Sequence, residues 1–539
     1  MIHSPLKKPA LTVSFGVSAA LILASLVPAV ASEGSARALS ARADGEPTST
    51  ILPDYELAEP VEARPLPSST IGRPNIVLIT TDDQTTTDLA HMPFTRRLLG
   101  DHGTTMQGIS PHPLCCPARA EFLTGQYAQN NRVRGNVGRY GGYDRLRTDQ
   151  TIATYLHAVG YETIFMGKFL NAYNRVHQAA QMPGWTSWNP TLQGVYQYRN
   201  FIVANDGVAV QHTNTYQTDY FTELAEQKIA EAAPSERPFF LWQSYVAPHT
   251  ASRDEQETAD WNPPPSADRH ANDPYTGLPA SMDDPSYAEE DVSDKPAHIS
   301  KRVWTETEEQ HIIELNSARI GALQAVDEGV RDMVHALRRS GELANTVIIF
   351  TSDNGYMLGE HRFHGKILPY EPSLAVPLVM RGPGIPAGVV TREIGTSIDI
   401  APTIVAAAQA TAVRPMDGRN LLPVMKSRTD SWDTLLIQAG PRGRAEMDYG
   451  WFYRGVRDER WTYVYYLPTG EEELYDRRND PSQLENLALD PTYAGVLTEL
   501  RSQLEQLQAC AGGSCRTDFE SPPAPRDRSV TPSGRARSR

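Results

Sequence analysis

Two adjacent cysteines, Cys115 and Cys116, open the run Cys115-Cys116-Pro117-Ala118-Arg119, which continues to Leu123-Thr124-Gly125. Neighbouring cysteines rarely bridge each other, because the geometry is strained, so both thiols need another account. One reading is a pair of structural thiols in a loop that leads into a helix, with Pro117 near its first turn. The other is a reactive centre. Elsewhere the chain carries two pairs of hard oxygen donors, Asp82-Asp83 and Asp353-Asn354, each just after an apolar run. A lone Asp pair often caps a helix, but adjacent carboxylates also repel unless a cation neutralises them. Jointly the two pairs suit Ca2+ or Mg2+ and, lacking His or thiolate, suit zinc poorly. Lys168, His249 and Lys366 add cationic or proton-carrying groups. His249 taken alone reads as a structural loop histidine; its place after an apolar run, in Ala247-Pro248-His249, favours a site residue.

Positioning these groups requires strands that end at one place. Ile76–Ile79 is a continuous apolar run, as expected of a strand buried on both faces of a parallel sheet. Thr163–Met166, Phe239–Trp242, Thr346–Phe350 and Val376–Met380 read as further strands. Between Glu309 and Arg339 apolar residues recur at three- and four-residue steps, which predicts a helix. It feeds through Ser340-Gly341 into the Val347 strand, an order typical of α/β sheets. Four predicted strands run directly into polar residues: Asp82-Asp83, Lys168, His249 and Asp353-Asn354. Ligands of open α/β sheets bind beyond the carboxyl ends of the strands, so the four clusters are expected to share one site.

Around this core the composition shifts. Lys7 and Lys8, an apolar run from about Ala10 to Val27 and the motif Ala29-Val30-Ala31 form the three parts of a secretory signal peptide; the run is short for a membrane span. The expected organisation is a signal peptide over 1–31, a flexible leader over 32–73, a catalytic domain over 74–430, a smaller C-terminal α+β domain over 431–516 and a disordered tail over 517–539. Alternating aromatic stretches at Trp451–Val456 and Trp461–Tyr466, with a third at Glu473–Tyr475, predict antiparallel strands in the smaller domain. Tyr493–Leu507 predicts an amphipathic helix there. The Pro- and Asp-rich stretch Thr250–Arg302 reads as a long loop, either a lid or an insert. In an exported protein Cys510 and Cys515 can close a small disulfide loop. A formal net charge of −15 argues against nucleic acid as a partner.

The cysteine motif resembles the signature of the sulfatases, in which a cysteine, any residue, Pro, Ser or Ala and then Arg lead to Thr-Gly. The likeness continues through Pro74-Asn75-Ile76-Val77 and Thr81-Asp82-Asp83, Gly160-Tyr161 to Gly167-Lys168, Ala247-Pro248-His249, Ser352-Asp353-Asn354-Gly355 and Gly365-Lys366. Lys168-Phe169-Leu170-Asn171, the segment Asp291–Pro296 and Tyr370-Glu371 resemble the branch of N-acetylglucosamine-6-sulfatases, extracellular heparan-sulfatases and arylsulfatases. The resemblance implies an alkaline-phosphatase-like fold, a central mixed sheet flanked by helices. It implies that a separate maturation enzyme oxidises Cys115, rather than Cys116, to formylglycine. The hydrated aldehyde then attacks sulfur through one hydroxyl and expels inorganic sulfate through the other, which splits one hard displacement into two steps. Asp82, Asp83, Cys115, Asp353 and Asn354 would hold one Ca2+ per subunit. Arg119 and Lys168 would hold the hydroxyls, Lys366 would neutralise a sulfate oxygen, and His249 would stand by the leaving oxygen. Many sulfatases have Lys-x-His where this chain has Lys168-Phe169-Leu170, so a role for that histidine does not pass to Leu170.

These local cations also answer the charge balance. A metal ion, Arg119, Lys168 and Lys366 outweigh a diffuse negative surface at short range, where salt screens the distant charges. The implied substrate is a sulfated sugar, of N-acetylglucosamine-6-sulfate type, or an aryl sulfate. A phosphate or phosphonate ester hydrolase on the same fold and a non-catalytic glycan-binding homologue are the rival readings. His361 and His364, near Lys366, are further pocket candidates.

Overall fold

Alternation along β1 (Asn75–Thr81) shows how the sheet is held. Ile76 and Leu78 enter one hydrophobic cluster and Val77 and Ile79 the opposite one, as side chains of a strand must. The computed structural model describes residues 72–174, 182–252, 262–427, 432–443 and 446–525. The expected signal peptide and nearly all of the leader lie outside the described residues.

In chain order the strands after β1 are β2 (Thr104–Ile109), β3 (Glu162–Gly167), β4 (Ser187–Gln193), β5 (Phe201–Asn205), β6 (Val208–His212), β7 (Phe239–Ser244) and β8 (Thr346–Ser352). A short hairpin, β9 (Met357–Leu358) and β10 (His364–Gly365), precedes β11 (Ala375–Arg381) and β12 (Val389–Thr396). Ten of these strands form one mixed sheet in the order β12-β2-β11-β8-β1-β7-β3-β4-β5-β6. The stretch β8-β1-β7-β3-β4 is parallel throughout, so its carboxyl ends lie on one edge.

Helices cover both faces. The helix Glu306–Arg339 and the helix Gln217–Ala232 pack on the Val77 and Ile79 face. The helices Cys115–Thr124 and Ser397–Ala407 pack on the other. The long helix begins three residues before the predicted Glu309, because Thr305 caps it and receives the Glu308 amide at 3.2 Å. The spacing Thr305-x-x-Glu308 is a capping box, legible in the sequence. β11 runs antiparallel to β8: an apolar run shows that a strand is buried on both faces but carries no direction.

The C-terminal strands β13 (Thr434–Ala439), β14 (Tyr453–Asp458), β15 (Trp461–Tyr466) and β16 (Glu472–Asp476) form an antiparallel sheet in sequence order. The helix Ala494–Leu507 packs on it within a cluster that includes Tyr127, Met357 and Tyr370 of the larger part. Cys510 and Cys515 are bridged. The expected tail begins later than 517: Phe519 packs on the same cluster, and the Trp461 indole donates to the Pro522 carbonyl at 2.8 Å. Residues 526–539 lie outside the described residues, as do 253–261 of the expected long loop. The later part of that loop is bonded into the fold, with the Asp294 carboxylate accepting from the Asn486 amide at 2.7 Å.

Candidate active site

Five strand ends and one helix start deliver polar side chains to a single point. Asp82 and Asp83 follow β1, Lys168 follows β3, His249 lies beyond β7, and Asp353 and Asn354 follow β8. Cys115 is the first residue of its helix, entered from an extended Leu114. Lys366 follows β10. The site residues predicted from the sequence are therefore brought together.

Asp82 Oδ1 accepts from the Cys115 thiol at 3.4 Å, and Oδ2 pairs with the Lys168 ammonium. Arg119, wholly buried, places Nη2 3.5 Å from Asp82 and donates from Nε to Asp353 Oδ2 at 2.8 Å. Its Nη1 donates to the Lys168 carbonyl at 2.7 Å and to Ser244 Oγ at 2.6 Å. Asp83 Oδ1 accepts from Asn354 Nδ2 at 2.7 Å and from Lys366, and the Asp83 amide donates to Asp353 Oδ1 at 3.2 Å. Lys366 Nζ also reaches Cys115 Sγ at 2.9 Å. Asp83 has a left-handed backbone, φ 69°, rare outside glycine and typical of residues forced into place at functional sites. Its carbonyl accepts from Arg319 Nη2 at 2.5 Å.

Burial would raise the Asp82 carboxyl, but Lys168, His249, Arg119 and Lys366 hold it well below the usual range. Burial, then Asp82, push the Cys115 thiol up to about 12, so an unmodified cysteine here is a neutral thiol and a poor nucleophile. Burial lowers His249 to about 4, against the pull of Asp83 and Asp82. Its Nδ1 lies 2.8 Å from the Thr250 carbonyl, which assigns the proton to Nδ1 and leaves an Nε2 lone pair. That lone pair faces Asp83 Oδ2 at 3.6 Å.

Two acceptors facing each other in a buried site repel unless a cation or proton lies between them. Asn354 Oδ1, also buried, has no hydrogen-bond partner. Asp82, Asp83, Cys115 and His249 present ligand atoms within 4.8 Å of one another. This arrangement fits a divalent metal ion. His249 joins the group that the sequence assigned to Asp82, Asp83, Cys115, Asp353 and Asn354.

The sequence missed several neighbours. Tyr196 stacks on His249 with ring centroids 4.3 Å apart, and Lys168 Nζ lies 4.8 Å above the same ring. Ser244 ties Arg119 to the Lys168 backbone. No spacing rule marks either residue, since each reaches the site through sheet pairing or a loop. His361 is bonded instead to Glu289, Nδ1 to Oε2 at 2.6 Å, and His364 pairs with Leu358 in the short hairpin. Gly167, before Lys168, has φ 101°, and a Cβ there would stand 1.9 Å from the Ser244 carbonyl oxygen. Gly167→Ala is therefore expected to cost more than about 1 kcal/mol, read as a lower denaturation midpoint in urea, and to displace Lys168.

A family model described as sulfatase matches residues 74–410, and one described as N-sulphoglucosamine sulphohydrolase, C-terminal, matches residues 359–510. The extracellular sulfatase SULF-1 homolog of Drosophila melanogaster is 34% identical over 390 residues, which cover 69% of this chain and 33% of that relative. This chain thus spans about a third of that relative's length. N-acetylglucosamine-6-sulfatase of Capra hircus is 29% identical over 497 residues, covering 83% of this chain and 85% of the relative. A solved structure of a complex with its substrate D-glucosamine-2-N,6-O-disulfate shares the fold, with TM-score 0.65 and 21% identity over 81% of this chain and 98% of the other.

Proposed function

The chain belongs to the sulfatase family, and from that premise we propose that it hydrolyses sulfate monoesters, releasing inorganic sulfate. One observation carries the reading: Cys115 Sγ stands against Lys366 and Asp82 among three cations and three carboxylates, all buried but the partly exposed Lys366. The Cys115 side chain, oxidised to formylglycine by a maturation enzyme, is the nucleophile, and Sγ marks the place its oxygens take. Asp82, Asp83, Asp353, Asn354 and the Cys115 position hold the metal, with His249 beside them. A Ca2+ ion is favoured by the hard oxygen donors. When bound, it supplies Lewis-acid polarisation of the reacting oxygens.

The chain's own groups do the rest. Arg119 and Lys168 orient Asp82 and Asp353 and present positive charge to the nucleophile. Lys366, on a short hairpin, neutralises a sulfate oxygen, acting as a preorganised oxyanion partner. His249, held through Nδ1 by Thr250 and stacked on Tyr196, stands by the leaving oxygen with Nε2 free to take up a proton from the nucleophile's hydroxyl and pass it to that oxygen. The substrate class is a sulfated sugar of the glucosamine-6-sulfate type; the names of the relatives support it. Export is supported by the N-terminal pattern and by the relatives named extracellular; among the described residues no helix is long and apolar enough to cross a membrane.

The test compares sulfate release from 4-nitrophenyl sulfate and N-acetylglucosamine-6-sulfate with hydrolysis of 4-nitrophenyl phosphate and a phenyl phosphonate. Sulfate esters are expected to be turned over faster by at least about a hundredfold in kcat/KM, a difference of the size that oxyanion complementarity supplies. A chelator should remove the activity and Ca2+ restore it. Faster turnover of the phosphorus esters would overturn the reading.

A further inference from the structure

The buried arginines of this protein mostly have acids beside them. Arg119 has Asp353, Arg319 has Asp88 and Arg457 has Glu371. Arg454, on β14, does not. It is 7% exposed, donates from Nη2 to Gln438 Oε1 at 3.2 Å, and its Nε has no hydrogen-bond partner. Arg134 lies beside it and is half-buried. The two guanidiniums stand 4.4 and 4.6 Å from the ring centroid of Trp451. Among the described residues no ion pair joins either arginine to a carboxylate. Burial, then Arg134, lower Arg454 to about 9.

His112 completes the cluster. It is wholly buried, its Nε2 accepts from the Gly440 amide at 3.2 Å, and burial, then Arg134, push it down to about 3 against a hydrogen bond to the Arg134 backbone. Its ring centroid is 6.3 Å from that of Trp451. Two like charges side by side, one of them buried without a carboxylate, are costly unless an anion joins them. Among the described residues no carboxylate supplies that anion.

The cluster adjoins the reaction centre. The Cys116 amide donates to Asn136 Oδ1 at 3.0 Å, on the loop that carries Arg134, and the Gln438 amide donates to the Pro111 carbonyl at 2.9 Å. His112 precedes Cys115 by three residues, which bounds their Cα separation at about 11 Å even for extended chain. A turn between His112 and Leu114 shortens it further. The cluster therefore lies within the length of a short oligosaccharide from Cys115.

We propose that Arg134 and Arg454, beside His112 and backed by Trp451, form a second anion subsite. It takes a sulfate or carboxylate on an anionic glycan while a different sulfate of that glycan reacts at Cys115. The inference rests on the sulfate-ester reading above and adds a preference for polyanionic over singly charged substrates. Arginine suits the task because its planar fork matches both anions in bidentate fashion.

Arg134→Ala, at a half-exposed position, and Arg454→Gln test it, with thermal melting confirming that each variant folds. The substrates are 4-nitrophenyl sulfate, which carries one anion, and a heparin-derived disaccharide sulfated on both rings. Each variant is expected to lose at least about tenfold in kcat/KM on the disaccharide, mainly through KM, because removing one partner of a desolvated charge contact is costly. Turnover of the aryl sulfate should stay within about threefold, since it offers nothing to the subsite. Arg454→Lys should recover part of the loss. Equal losses on both substrates would make the cluster structural, and no loss on the disaccharide would show that the subsite is not used. Calorimetric titration of the disaccharide into the Cys115→Ala protein, with and without Arg134→Ala, reads binding without turnover. If no sulfate ester is hydrolysed at all, the functional reading fails, while the titration still decides the subsite.

Discussion

Cys115→Ala is expected to reduce sulfate release to the background of the uncatalysed reaction, while Cys116→Ala keeps at least about a third of it. The two thiols are adjacent in sequence and both are buried, yet they face different surroundings. Cys115 Sγ meets Asp82 and Lys366; Cys116 sits in the apolar cluster with Phe122, Leu123 and Phe165. The effects should therefore cross. Cys116→Ala leaves a small apolar void and costs about 1 kcal/mol of stability, with the chemistry intact. Cys115→Ala removes the atom from which the nucleophile is made and leaves the packing nearly unchanged. Cys115→Ser separates nucleophilicity from turnover further: a hydroxyl can accept the sulfate but has no second hydroxyl to expel it, so at most one equivalent of alcohol should appear. Activity assays alongside urea denaturation of all three variants check the pattern. Equal losses from Cys115→Ala and Cys116→Ala would indicate a structural pair.

Arg119→Leu is expected to be the most damaging single change outside Cys115, because it strikes both stability and chemistry. The guanidinium is wholly buried and engages Asp353, Asp82, Ser244 and the Lys168 carbonyl. Its removal leaves Asp353 without its main counter-charge in a buried setting; breaking such a pair costs about 3–5 kcal/mol. Activity should fall by at least about a hundredfold, the scale seen when a preorganised charge beside a reacting group is lost. Arg119→Lys sharpens the test. It keeps the charge but cannot fork to four partners, so it should regain stability and remain poorly active. A fully active Arg119→Lys would mean that the charge alone matters.

The strand ends were legible in the sequence because a buried parallel strand writes its own signature. Ile76–Ile79 is apolar on both faces, and the first polar residues after it, Asp82 and Asp83, mark where it leaves the core. The same logic placed Lys168, His249 and Asp353 on one edge, and the sheet order confirms that β8, β1, β7 and β3 are neighbours there. Direction and pairing were less legible. β2, β4, β5, β6 and β12 carry mixed patterns, and nothing local in Val376–Met380 distinguishes the antiparallel β11 from its parallel neighbours. Site residues that act through contact were invisible for a related reason. Tyr196 and Ser244 gain their places only when β4 and β7 are set beside β3, and Arg454 only when the small sheet docks on the segment before Cys115. Pro522 and Phe519 look like tail by composition and are held because Trp461 needs a partner for its indole N–H.

The burial of Cys115 also sets an order of events in the life of the molecule. The residue is 1% exposed and opens a helix of which every residue is buried. A second protein cannot close around a side chain in that position. An enzyme that oxidises Cys115 must meet the stretch Cys115–Gly125 as open chain, before the Ser397–Ala407 helix and the sheet enclose it. If Cys115 is oxidised as proposed, synthesis, oxidation and folding form a sequence rather than parallel events, and the interval between the first and the last is the time at which competence is decided. On the proposed mechanism, a molecule that folds before it is oxidised keeps the thiol of Cys115 and no nucleophile. Under that proposal, the ratio of active to silent protein in a preparation would record how fast the chain closed relative to how soon it was met.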